Sequence, residues 1–243
     1  EPAIQVANTL SFFRQNSILL KNPDMQSYFN QLIFDQPLLL KELQLPNRGP
    51  ELEKQLAEFA SGEYSLNARL GNTESADFYL GLISRLRQYC LFSRKQYPAI
   101  YEGKPIPEIF DIFPDVLDKA IDLADDTSKG VLHGLAAQQW MSEDSLSLED
   151  GEKFLRHVLL YNQFPASGKT IDPLLSANIK SLVSRFTPDI ARLELSQNFF
   201  DSLVRDAYPQ LPQNAEFIAS AHNPLVFSVK DHPVTIRISA KGS

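Results

Sequence analysis

The chain has 243 residues, of which 43% are hydrophobic and 22% charged, and its formal net charge is −7 at pH 7. A chain of this size and composition buries a core large enough to fold without disulfide or metal support, and it is too apolar to be intrinsically disordered. The acidic balance argues against a general nucleic-acid-binding protein, because contacts with phosphates need a basic surface.

The single cysteine, Cys90, excludes an intramolecular disulfide framework and any zinc site built from several cysteines. Apolar runs such as residues 158–161 are far shorter than the roughly 18 residues that a membrane-spanning helix needs, so we expect no membrane span. The sequence starts at Glu1 without a methionine. This start fits either a cytoplasmic protein or one exported after removal of an N-terminal segment.

The first part of the chain is predicted to form amphipathic helices separated by prolines. Helically spaced apolar residues predict a helix over 3–20, and Asn22-Pro23 ends it and opens a second helix. Another helix is predicted over 50–61, with a proline at its first position and Gly62 as its stop.

Residues 74–97 form the longest predicted helix, which ends before Pro98. Cys90 lies on its apolar stripe, so we predict a buried and inert thiol rather than a nucleophile. The following stretch, rich in proline, is predicted to be a loop with one helical turn. It suggests two helical lobes, 1–104 and 105–243, or one continuous domain in which they pack closely.

Helices are also predicted in the second half of the chain, over 115–125, 129–141, 148–162 and 171–207. Ser147 and Asp150 fit a capping box at the start of the third of these. Thr187-Pro188 is predicted to divide the last one, because threonine can cap a helix and proline can occupy its first turn.

The C-terminal residues have a different pattern, in which "LVFSVKDHPVTIRIS" alternates apolar and polar side chains. Two such runs joined by residues 230–233 predict a β-hairpin, whose edge can accept another strand. The predicted fold class is therefore mainly α, a multi-helix orthogonal or bundle-like domain with a small C-terminal β-hairpin.

An acidic stretch after residue 114 raises the question of a metal or acid/base site. On a helical wheel, Asp115, Asp118, Asp122 and Asp125 share one face, and apolar residues occupy the opposite face. This arrangement is typical of a solvated helix, so we interpret the stretch as an acidic surface.

Two stretches resemble known motifs but are incomplete. Asp125-Asp126 resembles the first half of the aspartate-rich motif of helical isoprenoid synthases, but Lys129 stands where the closing aspartate belongs. Residues 165–170, "PASGKT", end like a phosphate-binding loop, yet Gln163 stands where that loop needs glycine. We therefore predict neither a bound metal nor a cofactor.

Two histidines and one aspartate are the candidate catalytic residues. His133 borders the apolar face of its helix and could act as a base or ligand if Asp126 meets it across the intervening turn. His157 has a similar position on the next helix. The simpler interpretation is a boundary histidine that hydrogen-bonds to a neighbour.

Basic and aromatic residues alternate in "RLRQYCLFSRKQY", near the end of the longest helix. Arg85, Arg87, Arg94 and Lys95 are the candidate partner-binding residues, because such a patch can dock an acidic partner. A solvated helix end with cations near its C-terminus explains the same pattern.

These observations favour a non-enzymatic interaction protein, an adaptor, assembly factor or effector, that binds a protein partner through charge-segregated surfaces and the hairpin edge. The lack of a catalytic motif argues against an enzyme. The alternative is an α-helical enzyme or small-ligand-binding protein, with His133 or His157 in a cleft between helices.

Overall fold

The computed structural model describes residues 2–34, 38–164, 173–211, 216–220, 223–230 and 235–237, and these are mainly helical, as predicted. The chain divides into two compact units, Glu1–Val116 and Leu117–Ser243. The division thus lies after Val116 rather than after residue 104, because the proline-rich stretch packs within the first unit. None of the helices in the described ranges is long and apolar enough to cross a membrane.

The first unit is built from helices of very different lengths. They are α1 (Pro2–Gln15), a 3-10 helix (Ser17–Lys21), α2 (Pro23–Phe34), α3 (Leu38–Leu43), α4 (Gly49–Arg69), α5 (Thr73–Gln96), α6 (Pro98–Tyr101), α7 (Glu108–Asp111) and the start of α8 (Phe113–Leu123). The long helices α4 and α5 pack against each other along their lengths.

Aromatic rings connect the helices of the first unit in its core. The ring centroids of Phe13 and Phe29 lie 5.0 Å apart, those of Phe29 and Phe59 6.0 Å, and those of Phe59 and Tyr79 6.2 Å. These separations are favourable for aromatic pairs. Cys90 is fully buried on α5, which confirms its predicted burial, and burial raises the pKa of its thiol.

The predicted stop at Gly62 is wrong, because α4 continues past this residue to Arg69. Gly62 is exposed, and a Cβ at its position would meet no atom within 4 Å. A glycine inside a helix costs only about 1 kcal/mol relative to alanine. Past Gly62 the helix is supported by Asn67, which is buried and whose side-chain amide donates to the carbonyl of Glu63 at 2.8 Å. The turn after α4 contains Gly71, whose φ of +70° suits glycine.

In the described residues of the second unit, the rest of α8 is followed by four further α-helices. These are α9 (Asp126–Ala137), followed by a 3-10 helix (Gln138–Ser142), α10 (Leu148–Gln163), α11 (Pro173–Ile190) and α12 (Gln197–Ala207). α9 packs along α10, while α11 contacts α9 and α12 contacts α10.

Side-chain caps begin α9 and α10. The Ser147 hydroxyl accepts from the backbone N–H of Asp150 at 3.1 Å, which confirms the predicted cap of α10. Asp125 caps α9 in the same way, by accepting from the N–H groups of Thr127 and Ser128. Asp115, Asp118 and Asp122 are exposed on α8, so the acidic stretch is a solvated surface that ends in a helix cap.

The predicted division at Thr187-Pro188 is wrong, because Pro188 lies inside α11, which ends at Ile190. Proline removes one backbone donor, but here it falls in the last turn of the helix. The Thr187 hydroxyl donates to the carbonyl of Val183 at 2.6 Å instead of capping a new helix. The next helix, α12, is capped by Ser196.

The C-terminal residues include three strands, β1 (Phe217–Ser220), β2 (Asn223–Val229) and β3 (Thr235–Arg237). They pair antiparallel in the order β1-β2-β3, with Phe227 opposite Ile236. The strand β1 was not predicted from the sequence. Most of the turn of the predicted hairpin, residues 231–233, lies outside the described residues, as does the segment 165–170.

Two glycines allow α9 to approach α10 closely. A Cβ on Gly130 would lie 2.7 Å from the carbonyl oxygen of Phe164, and one on Gly134 would lie 2.9 Å from the Tyr161 ring. Any larger residue at these positions would push the helices apart. This close contact brings the facing side chains of α9 and α10 together.

We therefore expect Gly130→Ala to destabilise the second unit by about 1–3 kcal/mol, because the methyl group overpacks the contact between the helices. Urea unfolding followed by the fluorescence of Trp140, the chain's one tryptophan, measures this loss in the second unit. Gly62→Ala is the control, and urea unfolding followed by circular dichroism should show that its free energy of unfolding rises by about 0.5–1 kcal/mol. Equal stability of Gly130→Ala and the wild type would show that the contact is loose.

Candidate functional site

The structure brings together two of the predicted candidate residues, His133 on α9 and His157 on α10. Their Nδ1 atoms lie 3.0 Å apart, and His133 is 6% exposed. A hydrogen bond at this distance needs a proton on one Nδ1 and a lone pair on the other, so the two imidazoles adopt different tautomers.

Aromatic rings and cations surround this histidine pair. The His133 ring stacks on Phe164 with centroids 6.0 Å apart, and the His157 ring lies 6.3 Å from Trp140. Burial, with a contribution from Lys129, lowers the pKa of His133 to about 4. Burial, and then the neighbouring His133, lowers the pKa of His157 to about 3. Both rings are therefore neutral near pH 7.

Asp126 has a different position from the one that an acid/base pair requires. Its side chain is 80% exposed, and its carboxylate lies 3.7 Å from the ammonium group of Lys129. The hydrogen-bonding partner of His133 is His157 instead. Across the described residues, no group of three or more histidine, cysteine, aspartate or glutamate side chains is arranged to hold a metal ion.

A cavity of about 900 Å³ lies in the first unit, between α4 and the proline-rich stretch that follows α6. We call it the α4 groove. One wall is formed by Pro50, Glu51, Lys54, Ala57 and Glu58 of α4. The opposite wall is formed by residues 104–109 and Ile112.

A buried ion pair between Glu53 and Arg94 lines the same groove. The Arg94 Nε lies 2.8 Å from Glu53 Oε1, and Nη2 lies 2.6 Å from Oε2, so the contact is bidentate. The Glu53 side chain is 1% exposed and that of Arg94 17%. The guanidinium also lies over the ring of Tyr101, 4.7 Å from its centroid.

The same guanidinium holds the opposite wall of the groove. Its Nη1 donates to the carbonyl of Lys104 and its Nη2 to that of Pro105, each at 2.9 Å. Arg87, two helical turns earlier on α5, donates from Nε to the carbonyl of Phe110 at 2.6 Å. Prolines in this wall have no N–H groups, so arginine side chains provide hydrogen bonds that regular secondary structure would otherwise supply.

The end of the groove near Pro46 is fixed by a second set of contacts. The Tyr101 hydroxyl donates to the carbonyl of Leu43 at 2.7 Å. A Cβ on Gly49 would lie 2.2 Å from the same carbonyl oxygen, so only glycine fits at the start of α4. These contacts set the corner between α3 and α4.

The four predicted partner-binding residues have different surroundings. Arg87 and Arg94 support the groove wall, the Arg85 guanidinium lies 5.6 Å from the centre of the Phe34 ring, and Lys95 is exposed. A direct docking role for them stays a prediction. Glu53 and Tyr101 were not predicted from the sequence. The spacing of Arg87 and Arg94 on one side of α5, facing a donor-poor stretch, was the available signal.

Comparison of the chain with models of protein families, with curated proteins and with solved structures finds no match.

Replacing Glu53 with glutamine leaves the buried Arg94 without its counter-charge. We expect Glu53→Gln to destabilise the first unit by about 3 kcal/mol, because removing one partner leaves an uncompensated buried charge. Glu58→Gln makes the same chemical change on the same helix, in an exposed pair with Lys54. That control should change stability by less than about 0.5 kcal/mol.

Urea unfolding followed by far-ultraviolet circular dichroism compares the two variants. Equal losses for Glu53→Gln and Glu58→Gln would contradict a structural role for the buried pair.

Proposed function

We propose that this protein is a non-enzymatic interaction protein, an adaptor, assembly factor or effector, and that its α4 groove binds a segment of a protein partner. The observation that carries the proposal is the set of hydrogen bonds from the Arg94 guanidinium, which we call the Arg94 fork. This fork binds the carboxylate of Glu53 and the carbonyls of Lys104 and Pro105 in the opposite wall of the groove. A groove whose walls are fixed before binding loses less conformational entropy when it binds a ligand.

Apolar side chains give the groove its anchoring surface. Ile106, Ile109 and Ile112 follow one another along the proline-rich wall, and Ile112 is 40% exposed. Ala57 and Pro50 face them from α4. We infer that the partner segment inserts apolar side chains between these walls, because buried apolar anchors supply most of the binding energy at protein interfaces.

Charges along the walls favour a cationic rather than an acidic segment. Apart from the Glu53–Arg94 pair, the groove is lined by the carboxylates of Glu51, Glu58 and Glu108. Two ammonium groups, of Lys54 and Lys104, also line it, and Lys54 lies 3.9 Å from Glu58. The carboxylates are in excess, so a lysine or arginine in the partner segment is favoured.

The other surfaces remain secondary proposals. β3 lies at an edge of the sheet and is where the proposed hairpin would accept a partner strand. The histidine pair does not support acid/base catalysis as well, because Asp126 is exposed to solvent and the two imidazoles contact each other. An enzyme is therefore not the function that we propose.

Selection of peptides from a random display library on the full chain tests the α4 groove. We expect the enriched peptides to combine apolar residues with lysine or arginine. Ile112→Ser should weaken their binding about tenfold or more, which corresponds to the loss of about 1.4 kcal/mol from one apolar anchor. Fluorescence anisotropy of the labelled peptides measures the dissociation constants.

Ile18→Ser is the matched control, because Ile18 is an isoleucine of the same unit that is 69% exposed and does not line the α4 groove. It should leave the affinity unchanged. Enrichment of acidic peptides would contradict the proposed charge preference, and equal affinities of Ile112→Ser and the wild type would contradict the groove as the binding site.

A further inference from the structure

The contact between His133 and His157 joins two titratable imidazoles, a kind of side chain that the first unit lacks. All four histidines of the chain follow residue 116, so the first unit contains none. Within the second unit, His133 and His157 connect the two helices that pack most closely, α9 and α10.

The hydrogen bond between the two rings survives one added proton but not two. A single proton on the donor ring leaves its Nδ1–H pointing at the lone pair of the other Nδ1. A second proton places hydrogens on both Nδ1 atoms, which lie 3.0 Å apart, so the bond is lost and two positive charges face each other. Opening of this contact is therefore linked to the uptake of two protons.

The charged groups around the pair do not favour its protonation. Lys129 on α9 and Lys153 and Arg156 on α10 are the cations that act on the two rings. The Glu149 carboxylate pairs with Lys153, and the Asp206 carboxylate of α12 pairs with Arg156. Each of these two carboxylates therefore already forms an ion pair with a cation.

The remaining neighbours of the pair are aromatic rings, or charged side chains that contact other groups. Arg185 of α11 donates to the Trp140 carbonyl of the 3-10 helix at 2.9 Å, and the Phe164 ring stacks on His133. Asp126 on α9 is exposed beside Lys129. Protonation of an imidazole here is unfavourable, because the charged ring loses its hydration, is surrounded by aromatic rings and is repelled by the nearby cations.

We propose that the His133–His157 contact is an acid-sensitive latch, which holds α9 against α10 while both imidazoles are neutral and opens the second unit when both are protonated. The proposal is independent of the α4 groove. In acidic surroundings the second unit opens, while the first unit has no histidine to respond.

The sign of the effect follows from the two states. The folded pKa values, about 4 and about 3, lie below the ordinary value of 6.5, so the open state binds more protons than the folded state. The stability of the second unit is therefore complete above about pH 6.5 and is lost as the pH falls below it. Each histidine raises the opening equilibrium constant about tenfold per pH unit, and the pair about a hundredfold.

Trp140 provides the measurement, because it is the single tryptophan and its ring lies 6.3 Å from that of His157. Urea unfolding of the full chain, followed by its fluorescence at several values between pH 7 and pH 5, gives the number of protons taken up. We expect the slope of the free energy of unfolding against pH to approach the value for an uptake of two protons in the wild type. In His133→Asn or His157→Asn it should approach the value for one proton. The double variant that carries both substitutions is the control, and the contribution of this pair to the slope should be absent from it.

A titration of the folded wild type keeps the proposal testable if these variants fail to fold. Nuclear magnetic resonance of the imidazole Cε1–H groups should show that two histidines stay neutral down to about pH 4 while the protein is folded. Titration of all four histidines near pH 6.5 in the folded protein would overturn the proposal. So would a slope that is unchanged in both His133→Asn and His157→Asn.

Discussion

The bidentate contact between Arg94 and Glu53 is the interaction on which the α4 groove depends. A buried ion pair does not by itself stabilise a protein, because removing both charges from water costs about as much as their attraction returns. Here the guanidinium also binds the carbonyls of Lys104 and Pro105. One side chain of α5 thus connects α4 to a stretch of chain that has little regular structure, and this connection gives the groove two fixed walls.

The second unit depends on a different constraint, the close approach of α9 and α10. Gly130 and Gly134 remove the side chains that would separate the two helices. The same approach brings two imidazoles into contact, where their Nδ1 atoms share a hydrogen bond. The two units therefore contain different chemistry. A charge pair fixes the walls of the α4 groove in one, and a hydrogen bond between two neutral imidazoles joins two helices of the other.

Local patterns in the sequence predicted the elements whose causes are local. The amphipathic stripe of α5 predicted a buried Cys90, and the cap at Ser147 predicted the start of α10. Local rules failed where contacts in the folded unit decided the outcome. Gly62 did not stop α4, because a glycine inside a helix costs only about 1 kcal/mol and the helix continues to Arg69, with Asn67 buried in that part. Pro188 did not divide α11, because it lies in the last turn.

The candidate site was predicted only in part, because its contacts join residues that are far apart in the chain. Glu53 and Arg94 are separated by 41 positions, and helix periodicity gives no information on which carboxylate a given arginine meets. The sequence identified both histidines, but it matched His133 with the nearby Asp126 rather than with His157, which is 24 positions away. The direction in which α9 and α10 face each other depends on the glycine contacts, which periodicity does not reveal.

Amide hydrogen exchange of the full chain, compared between the wild type and Arg94→Lys, tests most directly the role of the Arg94 fork. Lysine keeps the charge but cannot bind two carboxylate oxygens and two carbonyls in one planar arrangement. The account predicts that the amides of Phe110 and Ile112, which are hydrogen-bonded in the wall, exchange at least about tenfold faster in the variant, while those in the middle of α5 keep their protection. Unchanged exchange along the wall would contradict it.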